Sequence, residues 1–206
     1  MSPAKGFKPW RKQKWAGFFM IIIQFPLFFV YLAVYSHGVV SGWTLLLLIL
    51  ASILVAKKGA SLYSSALRRQ YGARVEEEGV LRLLPKLTEA GFDVKHNVQT
   101  NCIGDIDLVV DLGLTSIPIE IKSFGSWGTA QKREERAVIQ AENQAKYLGS
   151  IISPIIWLPK IYEDNVFLDR GCIIVTGSAD MVVEVIESIS RKLTALRPNT
   201  LGRRKA

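Results

Sequence analysis

From Trp15 to Ala56 the chain carries no Asp, Glu, Lys or Arg, and almost every residue is apolar. An amphipathic element of a water-soluble fold alternates polarity with its own period, and this stretch does not. A helix needs about 20 apolar residues to cross a bilayer core, so there is room for two spans and a tight turn. Ser36-His37-Gly38 marks the turn. The expected anchor is therefore a transmembrane helical hairpin over 15–56, with spans at 15–35 and 39–56. Gln24 and Pro26 lie inside the first span, where proline is tolerated and can kink the helix. Trp10, Trp15, Tyr35 and Trp43 fall near the expected interfaces, where amphipathic rings are favoured. A cleaved signal peptide also begins with basic residues. Its apolar part, however, is about 7–15 residues long, and here a longer stretch is followed by a second one.

Charge sets the expected orientation. The turn between the spans has no Lys or Arg, whereas Lys5, Lys8, Arg11, Lys12 and Lys14 precede the first span and Lys57 and Lys58 follow the second. Positive flanks stay inside, so both termini are expected in the cytoplasm, in a multi-pass protein of the cell inner membrane. The net charge of +8 suggests nucleic acid, but between Gly59 and Glu187 there are 13 basic and 18 acidic residues. The excess positive charge thus belongs to the basic N-terminus (1–14), the second-span flank and a basic tail (197–206), and says little about DNA. Cys102 and Cys172 have no C-x-x-C or His partner at zinc-ligand spacing, which argues against a disulfide framework or structural zinc and fits a reducing compartment. His37 reads as a polar turn residue and His96 as a partly exposed strand residue.

Residues 57–71 read as a juxtamembrane segment, either an amphipathic stalk on anionic headgroups or an ordinary linker helix, since Leu62, Tyr63, Leu67 and Tyr71 recur at roughly helical spacing. The soluble domain then covers 72–196. A helix over 74–87 is expected to place Glu77, Val80, Leu81, Leu84 and Leu87 on one face, with the acid out of place on an apolar stripe. Strands are expected at 93–99, 105–110 and 116–122, a helix at 131–148, strands at 151–158 and 171–175, and a closing helix at 179–196. This order predicts an α/β sandwich around a mixed sheet.

Strand alternation puts Glu120 and Lys122 on one face of Ile119-Glu120-Ile121-Lys122, and Asp105 and Asp107 on one face of the preceding strand. If the hairpin brings Asp107 to Glu120, two carboxylates converge beside one ammonium. Phosphodiester hydrolysis needs such a set: oxygen ligands for Mg²⁺ (or Mn²⁺) and a cation near the attacking water and the developing charge. An E-x-K strand alone is more often a solvated hairpin face. The upstream Asp, the helix acid Glu77 and the downstream helix bearing Gln140 and Gln144 make the combination far more specific.

The order helix Glu, strand Asp, E-x-K, helix Gln resembles the PD-(D/E)XK nuclease superfamily, in particular its nuclease-related domain (NERD) branch. The stretch 72–148 carries the likeness, through Glu77-x-x-Val80-x-x-x-Leu84-x-x-Leu87, Asp105-Ile106-Asp107-Leu108-Val109, Ile119-Glu120-Ile121-Lys122-Ser123 with Gly125, and Gln140. The resemblance implies a restriction-endonuclease-like mixed sheet flanked by helices. It implies that Asp107 and Glu120 ligate the metal, Lys122 orients or activates water, Glu77 partners the metal or Lys122, and Gln140 positions substrate or Lys122. Arg136-Ala137 stand where the family usually has Asn-Pro, so Gln144 is the alternative to Gln140. Asp105 is either a spare ligand or a solvated neighbour. Trp127 either stacks on a base or packs its loop onto the sheet.

The leading expectation is a membrane-anchored, metal-dependent nuclease acting on nucleic acid, DNA foremost, at the cytoplasmic face. The alternatives are an inactive, membrane-tethered module that binds nucleic acid or protein, and a membrane assembly protein whose soluble domain is a spacer.

Overall fold

The computed structural model describes residues 9–100 and 104–196. The chain divides into two compact units, Met1–Gly72 and Ala73–Ala206.

The first unit is helical: α1 (Pro9–Ile22), α2 (Gln24–Ser36) and the first part of α3 (Gly42–Glu89). Trp10–Ser36 and Gly42–Glu89 are each long and apolar enough to cross a membrane, and only 6% of the most apolar window in each is buried within the protein. α1 ends at Ile22, four residues before Pro26, whose missing N–H cannot bond back to the Ile22 carbonyl. Gln24 satisfies its amide locally, donating from Nε2 to the Met20 carbonyl at 3.1 Å. Where α1 meets α3, Gly17 and Gly59 let the backbones touch. A Cβ on Gly17 would lie 2.6 Å from the Gly59 oxygen, and one on Gly59 would lie 2.9 Å from the Gly17 oxygen. Small residues at a crossing are the device by which apolar helices approach closely in lipid. Beside it, Phe18 packs on Tyr63, and Lys14 Nζ donates to Gln70 Oε1 at 3.1 Å.

Residues 57–71 are helical and continuous with the apolar segment. Ala, Leu, Arg, Lys and Gln there favour the helix, and the single Gly59 costs only about 1 kcal/mol against Ala. Residues 57–71 thus lie within α3.

The second unit is α/β. A mixed six-stranded sheet has the order β1 (Asp93–Val98), β2 (Ile106–Asp111), β3 (Ser116–Ile121), β4 (Ile155–Leu158), β6 (Cys172–Thr176), β5 (Asn165–Asp169). β1–β2–β3 form an antiparallel meander, β4 and β6 add in parallel to β3, and β5 closes the far edge antiparallel to β6. The parallel step from β3 to β4 needs a crossover, supplied by α4 (Gln131–Leu148). β5 is a strand that sequence reading takes for loop. Its residues Asn165-Val166-Phe167-Leu168-Asp169 are flanked by charge, and only the pairing with β6 gives it identity.

Helices cover both faces. On one, Val80, Leu83 and Leu87 of α3 and Val182 and Ile186 of α5 (Ala179–Ala195) pack on Leu108, Val110, Ile117, Ile119, Ile121, Ile155, Trp157 and Val175. On the other, Ala137, Val138 and Ala141 of α4 pack on Ile156, Leu158, Cys172 and Ile174. Strand alternation decides which residue goes where: Ile117, Ile119 and Ile121 fill the first face, and Glu120 points to the α4 side. The buried row of α3 is Val80, Leu83 and Leu87, while Leu81 is 68% exposed and Leu84 lies at the margin. The expected stripe through Glu77 and Leu81 is thus rotated by roughly 70° around the helix, less than the ~100° step of one residue.

Candidate active site

The site forms where β2 and β3 meet. Leu108 pairs with Ile119, so the next rung brings Asp107 to Glu120. Asp107 Oδ2 accepts from the Ile121 backbone N–H at 2.8 Å, and its Oδ1 accepts nothing from the described residues. Glu120 is only 2% exposed. One of its oxygens, Oε1, accepts from Lys122 Nζ in an ion pair, and the other, Oε2, accepts from Gln144 Nε2 at 2.8 Å. Lys122 also donates to Gln140 Oε1 at 3.3 Å. The strand alternation that places Glu120 and Lys122 on one side thus delivers both to the α4 face, where Gln140 and Gln144 meet them one turn apart.

Both glutamines belong to the site, in different ways. Gln140 is half-buried and contacts the ammonium. Gln144 is fully buried and fixes the carboxylate, donating also to the Asp105 carbonyl at 3.2 Å. Because both its neighbours are acceptors, the amide must present Nε2 to them, which leaves Oε1 buried without a partner. Asp105 contributes that carbonyl, and its residue is otherwise exposed.

The helix acid at the site is Glu76. It is half-buried, whereas Glu77 points to solvent and is not brought to the cluster. Burial raises the Glu76 pKa, with the Lys122 charge opposing and the Glu120 charge adding to the rise. The rotation of the α3 stripe explains the exchange: Glu76, Val80, Leu83 and Leu87 follow one another at i+4 and i+3 steps on the inward face. Gly79 permits the approach, since a Cβ there would stand 2.9 Å from Ile121 Cγ2. Sequence alone offers three consecutive acids, Glu76, Glu77 and Glu78, and the neighbouring small residue Gly79 is the signal that selects the first.

Electrostatics mark the cluster. Asp107 is pushed up to about 7, chiefly by burial and next by the Glu120 charge, against the lowering effect of the Ile121 N–H and Lys122. Burial acts to lower the Lys122 pKa, but the charge and hydrogen bond of Glu120, with Glu76 and Asp107, hold it above its ordinary value. Two carboxylates that share one hairpin rung are a hard-oxygen donor pair, and Mg²⁺ is commonly held by one or two carboxylates plus waters. The unpartnered Asp107 Oδ1 and the raised Asp107 pKa fit such a cation. Among the described residues no group of three His, Cys, Asp or Glu side chains stands ready to hold a metal, and Lys122 already neutralises Glu120.

The remaining singled-out residues are structural. Trp127 packs on Phe124, donates from Nε1 to Asp169 Oδ2 at 2.9 Å and lies under the Arg170 guanidinium. Glu134 is buried and accepts from the Gly128 and Ala130 backbone N–H groups, pinning the same loop to the start of α4. Cys172 is buried and its thiol is pushed up to about 12 by desolvation, so it is unreactive. His37 ends α2 and His96 lies exposed on β1. Cys102 lies outside the described residues.

No family model, curated protein or solved structure matches this chain.

Proposed function

We propose that this chain is a membrane-anchored, divalent-cation-dependent nuclease with a restriction-endonuclease-like catalytic domain, acting on nucleic acid, DNA foremost, at the cytoplasmic face of a cell inner membrane. The observation that carries the reading is the meeting of Asp107, Glu120 and Lys122 at the end of the β2–β3 ladder, with Gln140 and Gln144 above them and Glu76 beside them. A surface ion pair needs no second buried carboxylate and no buried glutamine oriented on it. A metal-assisted hydrolytic site has a use for both, the carboxylate as a second ligand and the glutamine to fix the first.

Asp107 and Glu120 would hold Mg²⁺ or Mn²⁺, with Glu76 in reach of the same charge. The cation would supply Lewis-acid stabilisation and a more acidic water. Gln144 and Lys122 fix the Glu120 carboxylate from its two oxygens, and the Ile121 N–H fixes Asp107. Lys122, steadied by Gln140, keeps its proton and places a positive charge where the phosphodiester gains negative charge in the transition state. The positive flanks of the apolar helices support a cytoplasmic location for both termini.

One observation favours a second reading, a non-catalytic tethered binding module: Lys122 satisfies Glu120 without any metal. The two are separated by incubating the detergent-solubilised full chain with plasmid and single-stranded DNA in Mg²⁺, Mn²⁺ or EDTA. Cleavage in either metal, lost in EDTA and in Asp107→Asn, is expected. DNA that stays intact in every metal would leave the binding module as the better reading.

A further inference from the structure

The first half of α4 carries two arginines that the site does not use. Counting around the helix at about 100° per residue from Gln140, Arg133 falls within roughly 20° and Arg136 within roughly 40°, so the row Arg133, Arg136, Gln140, Gln144 lies along one face. Gln140 and Gln144 contact Lys122 and Glu120, so this row runs straight out from the site. At about 1.5 Å rise per residue, Arg136 stands about 6 Å and Arg133 about 10 Å further along the axis. Both are exposed, and among the described residues neither forms an ion pair. The acids nearest in sequence are spent elsewhere or turned away. Glu134 faces inward to cap the Gly128–Ala130 loop, and Glu135 lies on the far side of the helix from this row.

Between Gly59 and Glu187 there are 13 basic and 18 acidic residues. Arg82, Lys95, Lys132 and Lys146 are exposed too, and what sets Arg133 and Arg136 apart is that they continue the row of Gln140 and Gln144. They also answer a difficulty in the site itself, since clustered carboxylates repel a polyanion. Guanidinium groups suit phosphate because their fork donates two hydrogen bonds at once.

We infer that Arg133 and Arg136 form the backbone-binding track of the site, holding successive phosphates on one side of the scissile bond and leading the strand to Gln140 and Lys122. The inference rests on the nuclease reading for its substrate and adds where the strand lies. The track contacts phosphates and so is blind to base sequence.

The test is anisotropy titration of labelled single-stranded DNA across a salt series, using the full chain in uncharged detergent with Mg²⁺. All chains carry Lys122→Ala so that the strand is not consumed. Arg133→Ala with Arg136→Ala is expected to weaken binding about tenfold and to lower the salt slope by about 0.7 for each arginine removed. Lysine at both positions should restore most of the slope. Lys146→Ala, on the same helix but off the row, should change neither quantity. Cleavage by the chain with Lys122 intact is followed in parallel. Wild-type affinity and slope in the double alanine variant, beside an active parent, overturns the track and leaves the nuclease reading standing. Arginine-dependent binding beside no cleavage in Mg²⁺ or Mn²⁺ supports the track and overturns the nuclease reading. Absence of binding by the parent overturns the track, and absence of cleavage beside it overturns the nuclease reading as well.

Discussion

The two units handle apolar residues in opposite ways. In the helical unit, Phe25, Phe29, Leu47 and Leu54 are more than half exposed, whereas in the sheet unit Leu83, Ile119, Ile156 and Trp157 have essentially no exposure. The residue types are alike; their surroundings are not. An outward apolar surface of this length is suited to hydrocarbon, whereas inward apolar side chains build their own apolar surroundings. The contrast teaches that polar residues carry most information where the rest is uniform. In the helical unit they mark where the apolar stretches end and helices meet, and in the sheet unit buried Glu120 and Gln144 mark the candidate site.

The contrast is sharpened first by removing mass from the inward set. Trp157→Ala should cost the sheet unit about 3–5 kcal/mol, read by chemical denaturation, because it empties the core and leaves the Gly177 carbonyl without its 3.1 Å donor. Loss of less than 1 kcal/mol would mean that this layer is not the core.

Next, one substitution can be made in both regions. Leu47→Arg places a charge near the middle of the apolar 39–56 stretch and should cost about 2.5–3.5 kcal/mol of insertion, seen as loss from carbonate-washed membranes. Leu168→Arg, at a residue 70% exposed on the β5 edge, should change sheet-unit stability by less than about 0.5 kcal/mol. Equal effects at the two sites would contradict the assignment of different surroundings.

The smallest effect is electrostatic. Asp107 binds its proton more tightly in the folded chain, at about 7, than at its ordinary 3.8. Between those values the folded state holds more protons than the unfolded state, so this group's contribution is complete below about pH 4 and is lost as pH rises through 7. In EDTA the Tm should fall by a few degrees between pH 5.5 and 8, and Asp107→Asn should flatten that fall. A Tm that rises over this window in the parent, with no change in the variant, would remove Asp107 as its source.

Much of this was legible in the sequence where period and composition are strong. The charge-free stretch, the E-x-K alternation and the 131–148 helix all follow from residue spacing, and the same alternation brings Asp107 opposite Glu120 once the hairpin closes. Three things were not legible. The join at 57–71 has no breaker other than Gly59, so composition cannot say whether a helix stops there or runs through. The choice of Glu76 over Glu77 depends on which of Leu81, Leu83 and Leu84 faces inward, and that is decided by the sheet beneath. β5 is held by its neighbour rather than by its own pattern. Gln144 was visible only as a second choice, because a glutamine's role is fixed by what it donates to, and both acceptors are distant in sequence.

In the proposed nuclease, Lys122 acts on the transition state while Asp107 and Glu120 hold the cation, a division of labour open to test. Its most direct test is one pair of measurements on Lys122→Ala: Mn²⁺ binding by calorimetry and DNA cleavage. Mn²⁺ binding is expected within a few-fold of the parent, and cleavage reduced on the order of 10²–10³ and not rescued by added Mn²⁺. Cleavage that persists near the parental rate, or is restored by Mn²⁺ alone, would contradict it.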